Sequence, residues 1–201
     1  MKSPIEADIQ RVLRQRSGYA RTRDFEIAGI GRWQLSRLCK AGAIERVRRG
    51  LYHMPDMPAT NHRGLVEACM TVPGGVVFLL SALAYYDLTT FSPWQVQMAV
   101  SRRERGSALR IGTVRLHVLS ERYYEPGVSV IRLPSGVIRI YDREKTLCDC
   151  IRYRNKIGLD LALEGLKNYL RLPDRNIDKL LGYGRVCRIE PLLRRYLEAL
   201  Q

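Results

Sequence analysis

The run RWQLSRLCKAGAIERVRRGLY, from Arg32 to Tyr52, constrains the fold of this chain more than any other segment. Leu35, Leu38 and Cys39 recur at helical spacing, and Gly42 follows at the position where many helices end. The rest of the run predicts a two-stranded ribbon with Arg-Arg-Gly at its tip, held to the core by three apolar residues, Ile44, Val47 and Leu51. A short helix followed at once by a basic ribbon is the outline of a recognition helix and wing in a winged helix-turn-helix.

Two further helices are predicted before this run. The segment Ser3-Pro4-Ile5-Glu6 starts the first, because its serine can cap the helix and its glutamate completes a capping box. The second is short, and three residues are expected on its buried side: Phe25, Ile27 and Ala28. The connection Gly29-Ile30-Gly31, with its isoleucine in the core, has the length and glycine content of the turn in a helix-turn-helix.

Side chains outside the apolar positions of the third helix, and those at the ribbon tip, are available to contact DNA. Arginine binds guanine through two hydrogen bonds and glutamine binds adenine, so Arg32, Gln34 and Arg37 are predicted to contact bases. The remaining polar residues are predicted to contact phosphates. The full predicted DNA-binding set is Arg32, Gln34, Ser36, Arg37, Lys40, Arg46, Arg48 and Arg49. Trp33 fits either an exposed position or packing against the first helix.

The charge of the chain agrees with a polyanionic partner. Its 201 residues include 34 Lys and Arg against 20 Asp and Glu, a net charge of +14. Half of that excess lies in residues 1–55, where twelve basic residues face five acidic ones. Such an excess attracts nucleic acid. Ribosomal, RNA-binding and membrane-surface proteins are also basic, so a winged helix that binds a protein partner stays open as an alternative.

Composition also excludes several classes. The chain has no apolar run long enough to span a membrane and no apolar signal segment near its start, so we expect a cytoplasmic protein. Its five cysteines lie in apolar contexts and are expected to be buried thiols. Cys148 and Cys150 form a CxC motif, and no histidine pairs with them at metal-ligand spacing. Neither a metal nor a cofactor is therefore expected.

Residues 60–201 are predicted to form a second domain, separated by a proline-containing linker from a first domain of residues 1–55. WQVQMAV and TVRLHVL alternate as strands do, and two more strands flank Pro134-Ser135-Gly136. After Asp142, a good helix cap, the pattern becomes helical, with four expected helices: Arg143–Arg154, Leu161–Arg171, Asp174–Leu181 and Pro191–Leu200. Strands followed by helices indicate an α+β domain after the winged helix-turn-helix.

The runs KAGAIERVRRGLY, SALAYYDLT and IRIYDREKTLCDCIRYRNKIGLDLALEGLKNYL resemble the AbiEi-type antitoxins and transcriptional regulators of bacterial type IV toxin–antitoxin systems. The resemblance covers nearly the whole chain. It implies that the winged helix binds inverted repeats of double-stranded DNA in its own promoter and represses the operon. Binding at two half-sites would suit a homodimer.

The resemblance also implies a role for the second domain. That domain would counter a toxin that is a nucleotidyltransferase, without requiring a stable contact with it. The shared block of sequence brings together six residues to which the resemblance assigns no individual role: Asp142, Lys145, Thr146, Asp149, Arg152 and Arg154.

Two segments of the sequence have features that are also found in enzymes. Gly106-Ser107 is similar to the Gly-Ser opening of nucleotidyltransferases, but no Asp or Glu lies between Glu104 and Glu121 to hold Mg²⁺. The chain is therefore not expected to be the toxin itself, and the leading expectation is a protein that is not an enzyme. The acidic residues around Lys145 suggest a DNA-targeted nuclease, which is kept as an alternative. Asp142 and Glu144 equally fit the start of a helix, where negative charge is favourable.

Overall fold

The computed structural model of the chain describes residues 4–15, 18–55, 62–103 and 113–200. It divides into two compact units, Met1–Glu67 with Arg132–Val137, and Ala68–Ile131 with Ile138–Gln201. Helices and strands occur in both units, which confirms the α+β class. The division falls after Glu67, whereas the sequence predicted a boundary at residues 55–60. The predicted cap at Ser3 and the Gly106-Ser107 motif lie outside the described residues.

Unit 1 consists of short helices and strands in an order that follows the prediction closely. Its elements are α1 (Pro4–Gln15), β1 (Tyr19–Arg21), α2 (Thr22–Ile27), α3 (Arg32–Lys40), β2 (Glu45–Arg48), β3 (Leu51–His53) and the start of α4 (Arg63–Thr71). The three strands are antiparallel in the order β1-β3-β2. The sequence did not predict β1, because three residues are too few to show strand alternation. Gly50 has a φ of +82° in the β2–β3 turn, a conformation that favours glycine.

The core of unit 1 contains most of the residues predicted for it. Phe25, Ile30, Leu35 and Ile44 are all buried. The predictions for Ile27 and Ala28 are wrong, because both side chains are exposed. Ile27 is two residues from Phe25, about 200° around a helix, so the two cannot share the buried face of a helix as short as α2.

Unit 2 is built on a five-stranded sheet with the order β6-β5-β4-β8-β7. Its strands are β4 (Val76–Val77), β5 (Val96–Ser101), β6 (Val114–Leu119), β7 (Val128–Leu133) and β8 (Gly136–Tyr141), and its helices are α5 (Leu79–Tyr85), α6 (Glu121–Tyr124), α7 (Arg143–Arg152), α8 (Arg154–Ile157), α9 (Leu159–Leu170), α10 (Ile177–Val186) and α11 (Glu190–Ala199). β4 pairs antiparallel with β5 and parallel with β8, and β5 pairs parallel with β6. The strands predicted around Pro134-Ser135-Gly136 are confirmed as β7 and β8.

Two details of unit 2 differ from the prediction. Gln97, a polar residue of the alternating segment that forms β5, is buried, and its polar groups are satisfied there: its backbone N–H donates to Ser81 Oγ at 2.9 Å and its Oε1 accepts from Leu80 N–H at 3.0 Å. The helix predicted from Asp174 instead starts at α10, where Asn176 Oδ1 accepts from Lys179 N–H at 2.9 Å. Asp174 forms an ion pair with Arg143 at 2.7 Å.

His117 on β6, an end strand of this sheet, lies among aromatic rings. Its ring centroid is 5.3 Å from that of Phe78 and 5.8 Å from that of Tyr153. Burial, together with the positive charges of Arg115 and Lys156, lowers the pKa of His117 to about 4. The folded protein therefore disfavours the protonated imidazole relative to the unfolded chain.

We expect His117 to make the protein sensitive to acid. The pKa of His117 is lower in the folded protein than in the unfolded chain, so the stability contributed by the neutral imidazole is fully present above about pH 6.5. The free energy of unfolding falls as the pH drops from there toward 4. The loss in free energy of unfolding should be about 1–3 kcal/mol, since solvent screens part of the effect. Urea denaturation at pH 7 and pH 4.5 measures it, with His117→Phe as the comparison. Equal pH dependence of the wild type and His117→Phe would contradict this expectation.

Candidate nucleic-acid interface

The rotation of α3 about its own axis is fixed by its cap and its buried face. Gln34 Oε1 accepts a hydrogen bond from the backbone N–H of Gly31 at 2.7 Å, which caps the first turn. Leu35 and Leu38 are buried on one side. Gln34, predicted as a base contact, therefore has its carbonyl oxygen engaged in holding the helix, and only its amide N–H groups remain to donate.

The opposite side of α3 is exposed, and two of its four residues are basic. We call it the outer face, and it comprises Trp33, Ser36, Arg37 and Lys40, all of which are exposed. These residues are spaced i, i+3, i+4 and i+7, so they lie along one side of the helix. The structure thus brings three of the five predicted helix contacts together and adds Trp33, which the sequence left undecided.

Arg32 lies at the edge of this face rather than within it. Its Nε is 3.0 Å from Glu26 Oε1 on α2, and both side chains are largely exposed. Exposed ion pairs contribute little to stability, so this pair can open when a phosphate competes for the guanidinium. Arg32 is therefore available, but a neighbouring carboxylate accompanies it.

The arginines of the ribbon formed by β2 and β3 differ in their exposure to solvent. Arg46 and Arg49 are exposed, and Arg46 Nε donates to the Arg48 carbonyl at 3.3 Å. Arg48 is half-buried, and burial together with the charge of Arg21 lowers its pKa. Its guanidinium still stays protonated at neutral pH. The cations that point to solvent on the ribbon are therefore Arg46 and Arg49.

A polar network secures the base of the ribbon, and no pattern in the sequence indicated it. Glu67 Oε1 accepts from Tyr19 OH at 2.9 Å and from Arg63 Nε at 2.9 Å. Arg63 Nη2 lies 2.6 Å from Nε2 of the buried His53, which in turn is 3.1 Å from Glu45 on β2. Burial and the hydrogen bond with Glu67 raise the pKa of Tyr19 to about 12. All three strands of the sheet are thus tied to the start of α4.

Three residues of the second predicted cluster, Lys145, Thr146 and Asp149, are buried in unit 2, and the other three are half-buried. Lys145 Nζ is 2.5 Å from Asp149 Oδ2, with both side chains fully buried on α7. Lys145 also lies 4.4 Å from the centroid of the Tyr141 ring, and Cys187 Sγ is 3.8 Å from Asp149 Oδ1. Burial raises the pKa of Asp149, and the charge of Lys145 opposes that shift. This pair is a core feature of the fold.

The carboxylates behind the nuclease interpretation are engaged inside the protein. Asp142 Oδ1 caps α7 by accepting from Lys145 N–H at 2.9 Å, and Asp142 Oδ2 accepts from Tyr183 OH at 2.8 Å. Glu144 accepts from Tyr169 OH at 2.7 Å and is 3.0 Å from Lys179 Nζ. Burial opposes ionisation of Glu144, but these two hydrogen bonds outweigh it and lower its pKa. Both carboxylates therefore hold α7 to α9 and α10.

The remaining members of the cluster also make internal contacts. Thr146 Oγ1 donates to the Tyr141 carbonyl at 3.2 Å, and Arg154 Nη1 donates to the Ile151 carbonyl at 3.1 Å. The Arg152 guanidinium stacks 3.7 Å from the centroid of the Tyr123 ring. The six residues lie at the cap of α7, on α7 and on α8, and these contacts hold the fold together.

The metal-binding side chains, helix lengths and cysteines of the described residues bear on other functions. Within those ranges, no group of three or more His, Cys, Asp or Glu is placed to hold a metal ion. None of the helices described is long and apolar enough to cross a membrane. The five cysteines are free thiols, and three of them are buried: Cys148, Cys150 and Cys187.

Comparison with protein families gives a match over the helices and ribbon of unit 1. Residues 8–55 match the family of AbiEi antitoxins, which are transcriptional regulators. The match runs from within α1 through β3, so it contains the outer face of α3 and the ribbon arginines. The predicted resemblance is confirmed over this segment. Comparison with curated proteins gives no match.

We expect the Lys145–Asp149 pair to behave as a coupled unit in stability measurements. Lys145→Met should lower the free energy of unfolding by about 3–5 kcal/mol, because it leaves a buried carboxylate without its counter-charge. The double variant Lys145→Met/Asp149→Asn should recover part of that loss, since the stranded charge is gone. Urea denaturation of the single and double variants at pH 7 tests this. Losses that simply add would contradict the coupling.

Proposed function

We propose that the chain is a DNA-binding transcriptional repressor that autoregulates its operon and acts as the antitoxin of a type IV toxin–antitoxin pair. The observation that supports this most directly is the basic outer face of α3, with Arg46 and Arg49 on the adjoining ribbon, inside the segment that matches antitoxin regulators. In this proposal unit 1 is a winged helix-turn-helix. The whole protein acts in the cytoplasm and catalyses no reaction.

The geometry of unit 1 supports a division of labour on double-stranded DNA. With α3 in the major groove, Arg37 would contact bases, and Ser36 and Lys40 would contact phosphates. Arg46 and Arg49 on the ribbon would neutralise backbone phosphates beside the groove. Arg32 would join once its exposed pair with Glu26 opens. Gln34 and Arg48 would act through helix capping and ribbon packing respectively.

The operator is proposed to be an inverted repeat in the protein's own promoter, bound by two copies of the chain. An outer face of four residues spans about two helical turns, which limits the number of bases that one α3 can contact. Two half-sites supply the sequence information that one lacks, and a two-fold arrangement of copies matches an inverted repeat.

The proposed target of the antitoxin activity is a nucleotidyltransferase toxin, countered without a stable complex. Growth of cells that express the neighbouring gene, with and without this chain, tests the antitoxin role. Rescue of growth supports the proposal, and failure to rescue rejects it while leaving the DNA-binding role intact. Co-purification of the two proteins at equal stoichiometry would instead show neutralisation by direct binding.

We expect DNA binding to depend on individual arginines of unit 1 in distinct ways. The full chain should bind the duplex upstream of its own coding region roughly 10³-fold or more tighter than a scrambled duplex. Arg37→Ala should lose about 1–3 kcal/mol on the upstream duplex and less on the scrambled one. Arg49→Ala should weaken both equally and reduce the salt slope by about one. Fluorescence anisotropy over a salt titration measures all of these.

Arg11→Ala is the matched control for loss of one positive charge. Arg11 is exposed on α1, pairs with Asp8 at 2.8 Å and is not part of the outer face. It should leave both affinities and the salt slope nearly unchanged. If Arg11→Ala weakened binding as much as Arg49→Ala, only the overall charge would matter. Equal losses for Arg37→Ala on the two duplexes would remove its role in base contact.

A further inference from the structure

Trp33 is the first residue of the outer face of α3, and it points almost directly away from the buried side of the helix. Successive helical residues are about 100° apart, so the direction opposite the buried Leu35 and Leu38 falls close to Trp33 and Lys40. Arg37 lies next to it on the same side. The indole is 72% exposed, which is far more than is usual for a tryptophan. The most outward position on the helix thus holds its largest apolar side chain.

The surroundings of Trp33 indicate what could cover it. The Arg37 guanidinium lies 5.8 Å from the centroid of the indole, and Lys40 is two turns along on the same side. The indole also lines a groove of about 280 Å³ between α1 and α3, whose other lining residues include Ile5, Leu38 and the acidic Glu6. An apolar surface flanked by cations is complementary to a ligand that has apolar groups between anionic ones.

Duplex DNA has that arrangement in its major groove. The 5-methyl group of thymine is the one apolar group on the base edges there, and phosphates border the groove on both sides. A large flat side chain can cover such a methyl group, while Arg37 and Lys40, farther along α3, reach polar atoms beside it. A protein partner would need acidic groups around an apolar centre, and the described part of α3 and the ribbon offers a second copy mostly positive charge.

We propose that Trp33 is a DNA-contact residue that favours thymine by packing its indole against the 5-methyl group. This inference rests on the proposed DNA-binding function and adds a preference for one base to it. Trp33 contributes no charge, so its contact adds to sequence preference and leaves the electrostatic attraction to phosphates unaltered.

The first test removes the methyl groups from DNA and the indole from the protein. The upstream duplex is prepared once with thymine and once with uracil in its place, which deletes only the 5-methyl groups. The wild-type chain should bind the uracil duplex at least about 3-fold more weakly for each contacted methyl. Trp33→Ala should bind the thymine duplex about 10-fold or more weakly than wild type, and should not distinguish the two duplexes. Its salt slope should match that of the wild type.

Ile27→Ala is the matched control, because Ile27 is an equally exposed apolar side chain of unit 1 at 75% and lies on α2 rather than on the outer face. It should leave the affinity within about 2-fold of the wild type, as expected for a surface substitution away from the contact. A loss equal to that of Trp33→Ala would overturn the specific contact.

The second test observes Trp33 in the otherwise native chain. The chain has two tryptophans, and the other is Trp94 in unit 2. In Trp94→Phe, the fluorescence of Trp33 should shift to shorter wavelength and be quenched on binding the upstream duplex. In Trp33→Phe, the fluorescence of Trp94 should change far less. An unchanged Trp33 signal on saturating DNA would overturn the proposal.

The outcomes separate this proposal from the proposed function. If the wild type binds the upstream duplex selectively, and if the wild type and Trp33→Ala each bind the thymine and uracil duplexes with equal affinity, the repressor role stands. The thymine contact is then rejected. If the wild type shows no selectivity at all, the proposed function itself fails. If Trp33→Ala changes the sedimentation of the free chain and the uracil effect persists in it, Trp33 joins two copies and the proposal is overturned.

Discussion

The burial of Leu35 and Leu38, together with the hydrogen bond from Gly31 to Gln34, is the constraint on which the proposed interface depends. It fixes the rotation of α3 about its axis, and this rotation determines the direction in which every other side chain of the helix points. The outer face follows from this rotation, and so do the exposure of Trp33 and the edge position of Arg32. Any change that rotated α3 by one residue would place a different set of side chains on its outer face.

The two units use charged residues in opposite ways. In unit 1, Arg37, Lys40 and Arg49 point to solvent, where a basic side chain is available to a polyanion. In unit 2, Lys145 is fully buried and neutralised by Asp149. In a sequence, exposed and buried basic residues are equally good candidates for a functional role. Only their burial and partners separate a surface that can bind from a core that must balance its charges.

Local patterns were sufficient to predict much of the fold. The bounds of α3 and the ribbon followed from the spacing of leucines and glycines, and the cap of α7 followed from Asp142. Features set by distant contacts were missed. The strand β1 is defined by its pairing with β3, and β4 by its pairing with β5 and β8. Periodicity within one segment cannot show such pairings.

The exposure of the predicted contact residues followed from the sequence for Ser36, Arg37 and Lys40, and less well for the others. Residue chemistry favoured Gln34 and Arg48, but a hydrogen bond to Gly31 engages the first and the packing of the ribbon half-buries the second. Trp33 was ambiguous, because a tryptophan pattern cannot tell a core residue from a contact residue. Ile27 was assigned to the core by its type alone, and helix geometry placed it outside.

Amide hydrogen exchange of the full chain, with and without the duplex from upstream of its coding region, tests the central claim most directly. It reports which backbone segments gain protection when DNA binds. The account predicts added protection in peptides that cover α3 and the β2–β3 ribbon, residues 32–53, with the upstream duplex and little with a scrambled one. Protection confined to residues 113–200, or equal for the two duplexes, would contradict the assignment of α3 and the ribbon as the specific DNA interface.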